Sequence, residues 1–161
     1  MCIVIDANVF GSVFSSKACD HAEYKPVKDW VTEGKGFIVY GGTKYNNELR
    51  RATQYLGIFV ELRKKGRVKK IADDLVDQDQ AVVEASVRGT EGGTDFDDGH
   101  IVAIFRVSGC RLLCSNDARL DRYIKNRSLY LRKQRPPSIY RGKKHRRLLC
   151  DKNIVNLRHA Y

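Results

Sequence analysis

No stretch of the chain approaches the roughly 18 consecutive apolar residues that a membrane-spanning helix requires, so no membrane partner or anchor of that kind is expected. The start, Met1-Cys-Ile-Val-Ile-Asp6, lacks the basic region that opens a secretory signal peptide, which predicts a cytoplasmic protein with reduced thiols. The cysteines Cys2, Cys19, Cys110, Cys114 and Cys150 are odd in number and form no CxxC pair. Only Cys19-Asp-His21 approaches zinc-ligand spacing, and it has no second pair, so a structural zinc is not expected. Cys110 and Cys114 flank an apolar run and read as core. No internal repeat or low-complexity segment is present. Acids are scarce: 19 Asp and Glu stand against 30 Lys and Arg, giving a net charge of +11 and a pI near 9.6. That surplus points to an anionic partner, nucleic acid before an acidic membrane or protein. A generally basic, solvated surface is the plain alternative.

At 161 residues the chain is long enough to bury one substantial core. Cys2-Ile-Val-Ile-Asp6 reads as a buried central strand whose terminal acid emerges at the carboxyl edge of a parallel sheet, with Asn8 placed to orient it. A helix is predicted over 25–33, with Pro26 in its first turn, Gly34 as its stop and Trp30 as core. Gly36–Tyr40 is a second strand. Thr43 is read as the cap of a long helix running through Glu48 toward Leu62. Glu48 either faces the strand exits or pairs with Arg51 on the helix surface. The run Arg63–Lys70 reads as a solvated basic loop or part of a phosphate-binding rim. Asp73, Asp74, Asp77 and Asp79 precede or open a helix over 81–88, where the helix dipole favours them. Asp95-Phe-Asp97-Asp98 then opens an apolar amphipathic helix, and Arg111–Cys114 is a strand ending in Ser115-Asn-Asp117.

A helix start and a strand end, both acidic and close in sequence, can face one crevice outside the carboxyl ends of the strands, where open α/β sheets bind ligands. Asp6 and Glu48 reach the same edge by the same logic. From Arg122 to Arg147 the chain holds Arg122, Lys125, Arg127, Arg132, Lys133, Arg135, Arg141, Lys143, Lys144, Arg146 and Arg147 with no acid among them. Tyr123, Tyr130 and Tyr140 are interleaved, a composition suited to phosphate contact and base stacking. A disordered basic tail is the competing reading, although Leu148-Leu-Cys150 and Ile154–Leu157 look able to dock on the domain. The expected division is a domain over 1–127 and a basic extension over 128–161 docked on it.

The pattern of strand-Asp6, helix-Glu48, helix-Asp98 and strand-Asp117 resembles the PIN domain family of metal-dependent nucleases. Ile3-Val-Ile-Asp6-Ala-Asn8-Val is similar to that family's first strand, Asp98-Gly-His-Ile-Val-Ala-Ile to its third motif, and Leu112-Leu-Cys-Ser115-Asn-Asp117 to its fourth. The resemblance spans residues 3 to about 125 and implies a three-layer α/β/α sandwich with a central, mainly parallel sheet. It implies endonuclease activity, RNA preferred and DNA open, with one or two Mg²⁺ or Mn²⁺ ions as cofactor. It further implies Asp6, Asp98 and Asp117 as metal ligands and Glu48 as a general base or water anchor. Asn8, Thr43, Asp95, Asp97 and Ser115 would stand behind the ligands or on phosphate. Asp121, one turn beyond Asp117, is a rival fourth acid or a surface partner of Arg122 or Lys125. A protein inhibitor, as in a toxin–antitoxin pair, and a homodimer are further expectations from the family. The chemistry stands by itself as well: converging carboxylates need a compensating cation, and hard dications share oxygen ligands with phosphate. A non-catalytic nucleic-acid-binding module on the same fold is the alternative. An aspartyl phosphatase is disfavoured, because Asp6-Ala-Asn8 lacks the second carboxylate of its Asp-x-Asp.

Overall fold

The apolar run Cys2-Ile-Val-Ile has no polar alternation, and such a run is stable only when both faces of its strand are covered. In the computed structural model, which describes residues 2–88 and 96–150, it forms β1 (Cys2–Ile5), with all four residues buried. A 3₁₀ turn over Ala7–Val9 leads into α1 (Phe10–Phe14) and α2 (His21–Thr32). β2 (Phe37–Tyr40) follows, then α3 (Thr43–Arg51), α4 (Thr53–Lys64), β3 (Val68–Lys70) and α5 (Asp73–Val87). After the segment 89–95, outside the described residues, come α6 (Gly99–Ser108), β4 (Leu112–Cys114), α7 (Asp121–Ile124) and β5 (Ser138–Tyr140). The five strands are all parallel in the order β3-β2-β1-β4-β5, and helices cover the sheet as a three-layer α/β/α sandwich. Among the described residues no helix is long and apolar enough to cross a membrane.

β1 sits at the centre between β2 and β4, and α6 packs beside α5. α6 is buried almost all round, from Gly99 through Phe105, as a helix without a polar face must be. Cys110 and Cys114 are buried, as their positions predicted. Trp30 packs against the core without being fully enclosed.

Several elements differ from the sequence reading. α2 begins at His21, so Pro26 lies in its interior and not in its first turn. The long helix from Thr43 breaks at Ala52 (φ −82°, ψ 48°) into α3 and α4. α5 begins at Asp73, which places Asp77 and Asp79 inside it, and Asp79 pairs with Arg106 of α6 at 2.8 Å. The basic run before Lys70 contains β3, an edge strand of which Val68 alone is buried. The basic segment beyond 127 supplies β5, so the sheet itself runs across the expected division there.

The chain leaves β5 through Gly142, whose φ of +126° and ψ of 176° only glycine adopts readily. A Cβ there would stand 2.7 Å from Glu23 Oε2, the oxygen that accepts from the Lys143 N–H. Gly142→Ala is therefore expected to cost on the order of 1–3 kcal/mol, read as a fall in Tm of about 2–4 °C per kcal/mol. A thermal melt matching wild type would show that this exit tolerates a side chain.

Candidate active site

In a parallel sheet all strands end on one edge, so the residues following β1, β4 and β5 meet there. Asp6 follows β1 and is buried. Its Oδ1 accepts from the Asn8 N–H at 3.1 Å and its Oδ2 from the Ser115 hydroxyl, beyond β4, at 2.8 Å. Ser115 thus stands behind Asp6 and also accepts from the Asp117 N–H at 3.1 Å. Asn8 acts through its backbone, and its side chain is exposed, so the amide does not orient the carboxylate as expected. Burial raises the Asp6 carboxyl above its ordinary range, the bonds from Asn8 and Ser115 draw it back in part, and the charge of Glu48 adds to the rise.

Asp98 occupies the N-cap position of α6 without the usual side-chain cap bond, which leaves its carboxylate to other partners. It too is raised, first by burial and further by the charges of Asp6 and Glu48, with His100 and Lys44 offsetting part. Glu48, on α3, faces this group and not Arg51. Its Oε2 lies 3.2 Å from His100 Nε2, and the His100 ring is fully buried. With Nε2 donating to the carboxylate, Nδ1 is left buried with no hydrogen-bond partner among the described residues. His100 is the residue that the sequence reading passed over. Its signal was the one polar side chain in the apolar run 99–105, two residues after Asp98.

Asp117 follows β4 as expected, but its carboxylate turns to Arg119. Oδ1 accepts from the Arg119 backbone N–H at 2.8 Å, and Arg119 Nη2 lies 2.6 Å from Oδ2. This contact holds the Asp117 carboxyl below the usual range. Arg119 is an exposed guanidinium that pairs with Asp117 and also feels the charge of Asp98. Asp97 is exposed and paired with Lys44, which lowers its carboxyl, and it does not join Asp98. Asp95 lies outside the described residues. Thr43 is the first residue of α3 and not its cap, which is Gly42 (φ +86°). Its hydroxyl donates to Asp77 Oδ2 at 2.6 Å, tying α3 to α5 and not to the acidic group. Among the described residues no three Asp, Glu, His or Cys side chains are gathered closely enough to hold a metal ion.

The basic segment divides in two. Arg141 is structural: it donates to the carbonyls of Ser115 and Asp117 and grips Asp121, with Nη1–Oδ2 at 3.1 Å. Lys125 takes the same Asp121 at 2.6 Å, and Asp121 therefore braces β5 against α7. Arg122 lies over the Tyr123 ring. Arg127, Arg132, Lys133, Arg135, Lys143, Lys144, Arg146 and Arg147 are wholly or partly exposed. The interleaved tyrosines are not available to stack on bases. Tyr123, Tyr130 and Tyr140 are buried, and the last two spend their hydroxyls on the carbonyls of Ile124 and Glu23. They recur in the basic run because they anchor it to the core.

Arg141 first, and Lys125 after it, hold the Asp121 carboxyl below its unfolded value against the opposing effect of burial. A depressed carboxyl contributes stability above the unfolded value, about 3.9, and loses it as pH falls through the folded value. The gap in Tm between wild type and Asp121→Asn is expected to be constant through neutral pH and to close below about pH 4. A gap unchanged at low pH would mean that shape and not charge sets the contribution of Asp121.

Comparison with protein-family models, with curated proteins and with solved structures gives no match.

Proposed function

We propose that this chain is a PIN-like metal-dependent endonuclease of the cytoplasm that hydrolyses phosphodiester bonds, RNA before DNA. One observation carries the reading. Asp6, Glu48 and Asp98 come from three separate elements to one edge of the sheet, and two of them are raised by burial and by their neighbours' charge. Carboxylates that face one edge and feel one another's charge are a ready receptor for positive charge.

The donor set fits a hard dication: carboxylate oxygens, with no thiolate among them. Asp6 and Asp98 would hold it, joined by Asp117 once that carboxylate leaves Arg119. When bound, Mg²⁺ or Mn²⁺ would neutralise phosphate charge and make a water acidic enough to attack phosphorus. Ser115 and the Asn8 N–H fix both oxygens of Asp6, so that carboxylate is oriented before any ligand arrives. Glu48, held by His100, would take a proton from the attacking water. Arg119, released from Asp117, would meet the phosphodiester's charge at the rim.

The non-catalytic binding module is favoured by one specific observation, the Arg119 grip on Asp117 together with the absence of a ligating trio among the described residues. The deciding experiment is cleavage of end-labelled single-stranded RNA and DNA with Mg²⁺, Mn²⁺ or EDTA. Cutting that requires metal supports the nuclease. Salt-sensitive binding without cutting supports the module. A homodimer and a protein inhibitor belong to the proposal through the family resemblance alone.

A further inference from the structure

Away from the acidic group, the 3₁₀ segment Lys143–Leu148 lies along α2 and leaves a groove of 510 Å³ between them. That volume falls within the roughly 300–1,000 Å³ of sites that hold small organic groups. Its walls and floor differ in kind. Pro26, Trp30 and Leu149 give an apolar floor, while Lys25, Lys143 and Arg146 bring cations to the rim. Asp29 also lines it, with its carboxylate matched by Lys25 at 2.6 Å, and the Glu23 carboxylate accepts from the Lys143 N–H at 2.9 Å, so Lys143 and Arg146 leave a modest net positive charge. No ion pair among the described residues uses either of them. Trp30 is firmly seated: a Cβ on Gly36 would come within 2.5 Å of its ring. Trp30 is thus packed on one side against Gly36, half-buried, and part of the groove's lining.

An aromatic ring and two cationic side chains lining one groove are complementary to a nucleobase and its phosphates. The groove also begins where the sheet edge ends. Arg141 touches the Asp117 carbonyl, and Lys143, two residues on, lines the groove. We infer that this groove anchors a single-stranded nucleic-acid segment, with a base stacked on Trp30, which packs on Gly36 at the amino-terminal side of the sheet, and phosphates on Lys143 and Arg146, so that the strand leads from there toward the acidic edge where it is cut. The inference deepens the nuclease reading and rests on it for the cutting, but not for the anchoring.

Trp30 is the chain's single tryptophan, so its fluorescence reports the groove alone. Fluorescein-labelled dodecamers of uridylate and of thymidylate, titrated into the full chain in EDTA, should quench Trp30 in step with the rise in anisotropy. Lys143→Ala/Arg146→Ala, which changes exposed charge and leaves the floor intact, should weaken binding about five- to tenfold and flatten the salt dependence by about 0.7 for each phosphate no longer neutralised. Tighter quenching by one dodecamer would tell RNA from DNA. Anisotropy without quenching overturns the inference, as does a double variant that binds like wild type. Equal quenching by polyglutamate overturns it too, since the site would then read only negative charge. Metal-dependent cutting without quenching would remove the groove and keep the nuclease. Quenching without cutting in Mn²⁺ would do the reverse.

Discussion

Asp98→Asn is expected to abolish metal-dependent cleavage while leaving the metal-free protein at least as stable as wild type. Loss of an outer partner of a metal ligand costs roughly 10–100-fold in activity, and a direct ligand should exceed that. The stability half follows from the raised carboxyl. An acid whose folded value lies above its unfolded value imposes no penalty below the unfolded value and a growing one as pH rises through the folded value. At neutral pH the wild type bears that penalty, and the amide removes it with nearly the same shape. Cleavage rates and thermal melts in EDTA test both halves. A variant that loses activity and Tm together would make Asp98 a structural residue, and one that still cuts would remove it from the site.

Mn²⁺ without substrate is expected to raise the Tm of the wild type strongly and that of Asp6→Asn or Asp98→Asn little. A ligand that binds only the folded state stabilises it by about 2.7 kcal/mol at a hundredfold excess over Kd, or about 5–11 °C at 2–4 °C per kcal/mol for a chain of this size. Arg119→Ala sharpens the test. Wild-type Asp117 must first give up its guanidinium partner, so removing that partner should shift the Mn²⁺ midpoint to lower concentration if Asp117 is a ligand. An unchanged midpoint would leave Asp117 out of the metal site. A flat wild-type melt across the Mn²⁺ series would remove the cation from the proposal altogether.

The strand-end and helix-start acids were legible because burial writes them plainly. Asp6 ends an unbroken apolar run, and Asp98 opens one at helical spacing. The edge strands were not. β3 buries only Val68 and carries two lysines, the device by which sheet edges resist pairing with other chains. β5 follows two prolines and buries only Tyr140. The break at Ala52 has no proline or glycine to announce it. The fate of individual charges was the least legible. Nothing local says that Arg141 braces a loop while Arg146 faces a groove, because that choice is made by Asp121, Ser115 and Asp117 from other elements. Glu48 was evenly poised between Arg51 and the crevice, and the deciding neighbour, His100, lies 52 residues away.

β5 is joined to the sheet by its pairing with β4, and the residue after it braces the Asp117 loop. Synthesis runs from the amino end, so the acids are all made before the strand that locks the last of them in place. A prematurely ended product stopping short of Ser138 would carry Asp6, Glu48, Asp98 and Asp117 yet leave the β4 edge bare and the final loop unbraced. Under the nuclease proposal that order would be protective, because incomplete copies would lack the brace on the Asp117 loop.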